Sequence, residues 1–126
     1  MNNRQLGEYG EMLAKHYLIG KGYTILAQNF RCRYGEVDII VQKDDNIVFV
    51  EVKTRRTLSY GTPAEAVDRR KQARYGKIAS LYIQNNRLFE SSYRFDIVEI
   101  YMPSQNTHTI NHIENAFGFT DTHFFI

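Results

Sequence analysis

Glu36-Val37-Asp38-Ile39-Ile40-Val41-Gln42-Lys43, then Asp44-Asp45, then Asn46-Ile47-Val48-Phe49-Val50-Glu51-Val52-Lys53-Thr54-Arg55: two runs rich in Val, Ile and Phe around a polar pair read as a β-hairpin. Alternate residues of a strand share a face. Val37, Ile39 and Val41 form one face of the first strand, and Val48, Val50 and Val52 one face of the second; these six are the expected core. The opposite faces carry Glu36, Asp38, Ile40 and Gln42, and Ile47, Phe49, Glu51, Lys53 and Arg55, apolar toward the turn and charged away from it. A two-residue turn sets 43 opposite 46 and therefore 38 opposite 51. Directly opposed Cβ atoms lie about 4.5–5.5 Å apart, so Asp38 and Glu51 are expected side by side. A slip of two residues would put Lys53 opposite Asp38 and leave the charged cluster on one face.

Opposed carboxylates repel unless a proton or a cation sits between them. An oxygen-rich setting of this kind suits the hard cations Mg²⁺ and Mn²⁺. Lys53 follows Glu51 by two residues on the same face, where its ammonium could hold a water or stabilise charge on a phosphate. Taken alone, cross-strand ion pairs on a surface hairpin would account for the same pattern.

Outward from the hairpin, residues 4–20 read as a helix, with Leu6, Gly10, Leu13, Tyr17, Ala14 and Leu18 at helical spacing and Gly20 and Gly22 as the stop. Glu11 lies at the border of its apolar face, where it could reach over the sheet end as a third acid or serve as an ordinary boundary residue; Glu8 points to solvent. Residues 23–30 read as a strand and 31–35 as a basic turn. After a loop at 57–61, Thr62, Pro63 and Glu65 make an N-cap, N1 and N3 signature that opens a helix to about Asn86. Its apolar stripe (Ala64, Tyr75, Ile78, Tyr82) is interrupted by Lys71. Such a break is expected at a functional site, and a lysine snorkelling to the edge would also explain it. Arg70, Arg74 and Lys77 form a separate basic stripe. Residues 93–101 read as a strand, and 108–114 as a last one. Helices packed on a mixed sheet make this an α/β chain.

Composition narrows the function classes. The chain has 126 residues, the size of one domain with a real core. Cys32 is the only cysteine, which excludes an internal disulfide and fits a reducing compartment. The polar start does not read as a signal peptide, and the longest aliphatic and aromatic run, residues 47–50, is far too short for a membrane span. A cytoplasmic protein with no membrane partner is expected. Net charge is only +2, but residues 53–77 carry eight basic side chains against Glu65 and Asp68. Localised positive charge is the footprint of a polyanion binder; a solvated basic helix face would account for it equally.

Four stretches carry a family resemblance: Gly7-Glu8-Tyr9-Gly10-Glu11, Gly35-Glu36-Val37-Asp38-Ile39-Ile40, Phe49-Val50-Glu51-Val52-Lys53-Thr54-Arg55 and Arg94-Phe95-Asp96. With them the chain resembles the bacterial YraN, or UPF0102, family of predicted endonucleases, which looks like a branch of the PD-(D/E)xK nucleases near archaeal Holliday junction resolvases. The resemblance spans residues 7 to about 117, so residues 1–117 are expected to form a restriction-endonuclease-like domain, with 118–126 an aromatic tail. It implies an α-β-β-β-α-β core with a mixed central sheet flanked by helices. It implies Asp38, Glu51 and Lys53 as the nuclease signature, Glu11 as the helix-borne acid, and an additional active-site group on the second helix, where the helical wheel favours Lys71 over Gln72. Val37 stands where the superfamily's pattern has proline, a departure the superfamily tolerates.

On that resemblance, Glu11, Asp38 and Glu51 would bind one or two Mg²⁺ or Mn²⁺ ions, with the Val52 carbonyl as a further ligand. Lys53 would orient the nucleophile, and in-line attack would leave a 5′-phosphate and a 3′-hydroxyl. Arg55, Arg56, Arg70 and Arg74 would track backbone phosphates, giving salt-sensitive binding. Nucleic acid is the expected partner, DNA ahead of RNA and branched DNA among the substrates, and a homodimer is expected by resemblance only. The alternatives are a nucleic-acid-binding module of the same fold with little or no cleavage, and a metal-dependent enzyme on small phosphorylated substrates.

Other residues read as bland. His108 and His112 are four apart, but in strand-like surroundings, and are expected on the surface. Cys32 reads as a loop thiol, and Asp96 as a structural hydrogen-bond or salt-bridge partner. Phe117, Phe119, Phe124 and Phe125 would dock a partner or pack back on the domain.

Overall fold

The computed structural model describes residues 1–57 and 68–117. Its elements are α1 (Asn3–Gly20), β1 (Thr24–Cys32), β2 (Gly35–Lys43), β3 (Asn46–Arg55), α2 (Arg69–Asn85), β4 (Ser92–Ser104) and β5 (Thr107–Ile113). The five strands form one sheet in the order β1-β2-β3-β4-β5. All neighbours are antiparallel except β3 and β4, which run parallel. A parallel pair needs a crossover, and α2 lies in it. The expected α/β, restriction-endonuclease-like arrangement of a mixed sheet between helices is the one found, with β5 as the further strand.

The helices cover opposite faces. Leu6, Ala14 and Leu18 of α1 pack on Ile39, Val41, Val48, Val50, Val98 and Ile100. Tyr75, Ile78, Ala79, Tyr82 and Ile83 of α2 pack on Ile40, Ile47, Phe49, Phe95 and Ile97. Burial on both faces explains why residues 47–50 and 95–98 do not alternate between buried and exposed side chains. No helix among the described residues is long and apolar enough to cross a membrane.

The structure corrects three of the sequence expectations. Val37 belongs to the core under α2, whereas Ile39 and Val41 belong to the core under α1. The alternation therefore breaks at Asp38. Helix α2 opens at Arg69, not at Thr62: Asp68 has extended backbone (φ −72°, ψ 175°) and caps the helix by accepting from the Lys71 N–H at 2.9 Å. Thr62, Pro63, Ala64 and Glu65 lie outside the described residues, as do the loop from 58 onward and the 118–126 tail. The basic turn is also tighter than expected: Cys32 pairs with Gly35, leaving only Arg33 and Tyr34 between the strands.

Helix α1 begins with a capping box, in which the Asn2 side chain accepts from the Gln5 N–H at 2.8 Å and the Asn2 N–H donates to the Gln5 side chain at 3.0 Å. The helix comes close to the sheet at Gly10, where an added Cβ would overlap Thr54 Oγ1. Only glycine lets the helix backbone sit on β3 at this point, and this seating fixes the height of the next residue, Glu11.

Candidate active site

The hairpin register is the one the turn dictates: Lys43 pairs with Asn46 and Ile39 with Val50. One step further, Asp38 leaves the ladder, and its Oδ2 accepts the backbone N–H of Val52 at 2.8 Å. The side chain thus satisfies a donor that a continuing ladder would have paired. The strands part here, beside a cleft of about 630 Å³. Glu11 from α1, Asp38 from β2 and Glu51 from β3 all line it, with Glu8, Glu36 and Val52 beside them.

The carboxylates perturb one another. Burial, then the charge of Glu51, push the Asp38 carboxyl up to about 7, against the Val52 hydrogen bond, which pulls it down. Glu11 is also raised, by burial first and by Glu36 next, while a hydrogen bond shared with Asp38 opposes the shift. Asn29 holds two of the acids: with its amide nitrogen turned inward it donates to Glu36 Oε1 and to Glu11 Oε1, each at 3.1 Å. Asn29 has a φ of +50°, a left-handed conformation that asparagine tolerates better than most residues. Nothing in the strand pattern around it marks this role.

Glu51 faces the α2 side. Its Oε1 lies 3.3 Å from Lys53 Nζ and 3.0 Å from Lys71 Nζ, and its Oε2 accepts from the Tyr75 hydroxyl. Lys71 therefore interrupts the apolar stripe because its ammonium meets a half-buried carboxylate. Tyr75, assigned to the core from its spacing, does both jobs. Its ring stacks on Phe95 and Phe117, and its hydroxyl reaches the site. No sequence signal separates such a tyrosine from a core one.

Among the described residues no group of three or more His, Cys, Asp or Glu side chains is drawn together so as to hold a metal ion. Glu51 is turned to its lysines and Tyr75, while Asp38 is turned to Val52. The donor set nevertheless suits a hard cation. It is all carboxylate oxygen, and the proton that Asp38 retains toward neutral pH relieves the same repulsion a cation would relieve.

The basic residues are distributed unevenly. Arg55 Nε lies 3.2 Å from Glu99 Oε2, with both side chains largely buried, so it is an internal ion-pair partner. Arg56 donates to Asn3 Oδ1 and to the Met1 carbonyl oxygen, each at 2.8 Å, tying the end of β3 to the chain start. Arg70 and Arg74 are exposed on α2, and Arg74 lines a smaller cavity of about 210 Å³ with Lys71, Tyr75 and Glu36.

A second polar cluster lies on the α1 side of the sheet. Asp96, only 1 % exposed, accepts from Arg94 Nε at 2.9 Å and from the Asn115 N–H at 3.0 Å, and lies 2.7 Å from His112 Nε2. Tyr23 accepts from Arg94 at 2.6 Å, and Tyr17 Oη lies 3.0 Å from His112 Nδ1. His112 is consequently an interior residue, with 8 % of its side chain exposed; the surface position expected for it is wrong. Burying an imidazole here is tolerable because both ring nitrogens find partners.

A mixed sheet with an acid-bearing helix on one face, a lysine-bearing helix on the other and an Asp/Glu-x-Lys hairpin between them defines an α/β protein of restriction-endonuclease-like arrangement. The chain belongs to the UPF0102 family, described as an uncharacterised protein family, whose model matches residues 10–100. Similar relatives are UPF0102 proteins of Syntrophomonas wolfei, 51% identical over 115 residues, covering 91% of this chain and 99% of the relative, and of Caldicellulosiruptor saccharolyticus, 48% identical over 118 residues, covering 93% and 100%. A UPF0102 protein of Clostridioides difficile is 44% identical over 117 residues, covering 93% and 100%.

Proposed function

We propose that this protein is a divalent-metal-dependent nuclease that hydrolyses phosphodiester bonds of nucleic acid, DNA before RNA, with branched DNA among its substrates. The observation that carries this reading is the meeting, in one cleft, of three acids from three elements, one of which touches two lysines. Glu11, Asp38 and Glu51 would hold Mg²⁺ or Mn²⁺, which supplies a water of lowered pKa and polarises the scissile phosphate. Lys53 and Lys71 approach Glu51 from two elements, and their ammonium groups would stabilise negative charge developing on the phosphate. Tyr75 fixes the Glu51 carboxylate through one oxygen. Asn29 spaces Glu11 from Glu36 and keeps Glu11 turned into the cleft.

Labelled duplex, single strand, flap and four-way junction DNA, incubated with Mg²⁺, Mn²⁺ or EDTA, test the assignment. Cleavage is expected with either metal, absent in EDTA and lost in Asp38→Asn and Glu51→Gln. Lys53→Ala is expected to lose on the order of a hundredfold or more, as for removal of one preorganised charge-stabilising group. Cutting at the wild-type rate by Asp38→Asn would sink the reading. A second reading, a nucleic-acid-binding module without turnover, is favoured by the engagement of Glu51 with Lys53, Lys71 and Tyr75, a closed arrangement that is satisfied without metal. Salt-sensitive binding with no cutting in any metal would select it.

A further inference from the structure

Gly7 sits in the second turn of α1, where a glycine weakens a helix relative to alanine. Gly10 has a reason to lack a side chain, because Thr54 lies against it. Gly7 has none within the fold: a Cβ built there meets nothing within 4 Å, and its φ is not in the left-handed region. Gly7 lines the cleft about one helical turn before Glu11. A helix that gives up stability to keep its wall bare at this point is shaped for something that comes from outside.

The same cleft is also lined by Arg4 and Arg31, with 87% and 77% of their side chains exposed. Each is held by a neighbouring acid, Arg4 by Glu8 and Arg31 by Glu36, both at 3.2 Å. Exposed pairs of this kind contribute little, so both guanidinium groups can turn to a phosphate. Apart from the phosphate that a bound metal would take up, the acids of the cleft repel phosphate, so flanking phosphates are attracted to these arginines and a neutral sugar is the part that tolerates the wall.

Resting on the nuclease reading above, we propose that the substrate strand runs along α1, its sugar–phosphate backbone packed directly on Gly7 with flanking phosphates held by Arg4 and Arg31. Gly7 is then a binding residue by virtue of having no side chain. Glycine serves the same purpose wherever a backbone must come close to a ligand.

The test compares Gly7→Ala, Gly7→Leu and the control Gly20→Ala. Gly20 also meets nothing within 4 Å but lies at the far end of α1, away from the cleft. Thermal unfolding is measured beside binding of a fluorescent four-way DNA junction and a fluorescent duplex in Mg²⁺. Gly7→Ala is expected to unfold at a higher temperature than wild type and yet to bind the better of the two probes about tenfold more weakly, with Gly7→Leu weaker still. Gly20→Ala is expected to bind as wild type does. Binding unchanged in both Gly7 variants, with wild type binding and cutting, would overturn the proposal and leave the nuclease reading standing. Wild type that binds neither probe would overturn both.

Discussion

Asp96 holds a negative charge where almost no water reaches it. Burial by itself would raise its carboxyl, but hydrogen bonds from His112, Arg94 and the Asn115 N–H outweigh that and hold it below its ordinary 3.8. A carboxylate whose native pKa is depressed binds its proton less tightly folded than unfolded. Its contribution to stability is therefore complete above the unfolded value near pH 4 and is lost as pH falls through the native value. Urea titrations from pH 6 down to pH 2 are expected to show wild-type stability falling below about pH 4 more steeply than that of Asp96→Ala. At neutral pH the variant is expected to lose about 3–5 kcal/mol, since it strands buried partners of a charge pair. Equal acid profiles would show that the network does not depend on the charge. Asp96 was legible from sequence as a structural partner. Its companion His112 was not, because an alternating strand pattern cannot say which of its faces will be covered by a helix residue 95 positions away.

At the scale of elements, the site depends on how α1 is seated on β3. Gly10 and Thr54 make the contact, and no other residue type fits the gap as it stands. Gly10→Ala is expected to destabilise the protein by about 1–3 kcal/mol, the range for overpacking a close contact. It is also expected to weaken metal-dependent activity more than a variant of equal stability loss remote from the cleft, because Glu11 moves with the helix. Thermal unfolding and cleavage rates measured together separate these effects; an unchanged melting temperature would show that the helix can lift at no cost. Helical periodicity identified Gly10 as part of the apolar face, and the same periodicity found Lys71 out of place. What it missed was the break at Asp68, whose extended backbone makes α2 open at Arg69; the Thr62 signature lies outside the described residues.

At the scale of the molecule, charge is unevenly spread among the described residues. Acids gather in the cleft between α1 and the hairpin, while Arg69, Arg70, Arg74 and Lys77 belong to α2, where Arg70, Arg74 and Lys77 stand exposed. On the nuclease reading, the α2 arginines are expected to add phosphate contacts beyond those of Arg4 and Arg31 at the cleft. The double variant Arg70→Gln/Arg74→Gln is expected to weaken DNA binding across all sequences and to make the dependence of log affinity on log salt shallower by about 2, roughly 0.9 for each phosphate no longer neutralised. Fluorescence anisotropy across a salt series measures this slope; an unchanged slope would place the phosphate-binding groups elsewhere. Arg55, expected in the same role, is engaged inside the fold with Glu99, since a strand end can be covered by its parallel neighbour in a way the strand's own sequence does not reveal.

Spacing along the chain was enough to find the described helices and strands, though not every boundary, the α/β class, and a favoured hairpin register that sets Asp38 beside Glu51, because each depends on a few neighbouring residues and on one tight turn. Lys71 and Glu11 were legible as irregularities on otherwise regular faces. Packing in three dimensions was needed to make Asp38 break its strand's alternation and hold the Val52 N–H, to bring Tyr75 and Lys71 together on Glu51, and to let Asn29 bridge two acids from different elements. Those contacts join residues far apart in the chain. They are set by how two helices pack on opposite faces of a twisted sheet, a balance of burial and polar pairing that no local pattern encodes.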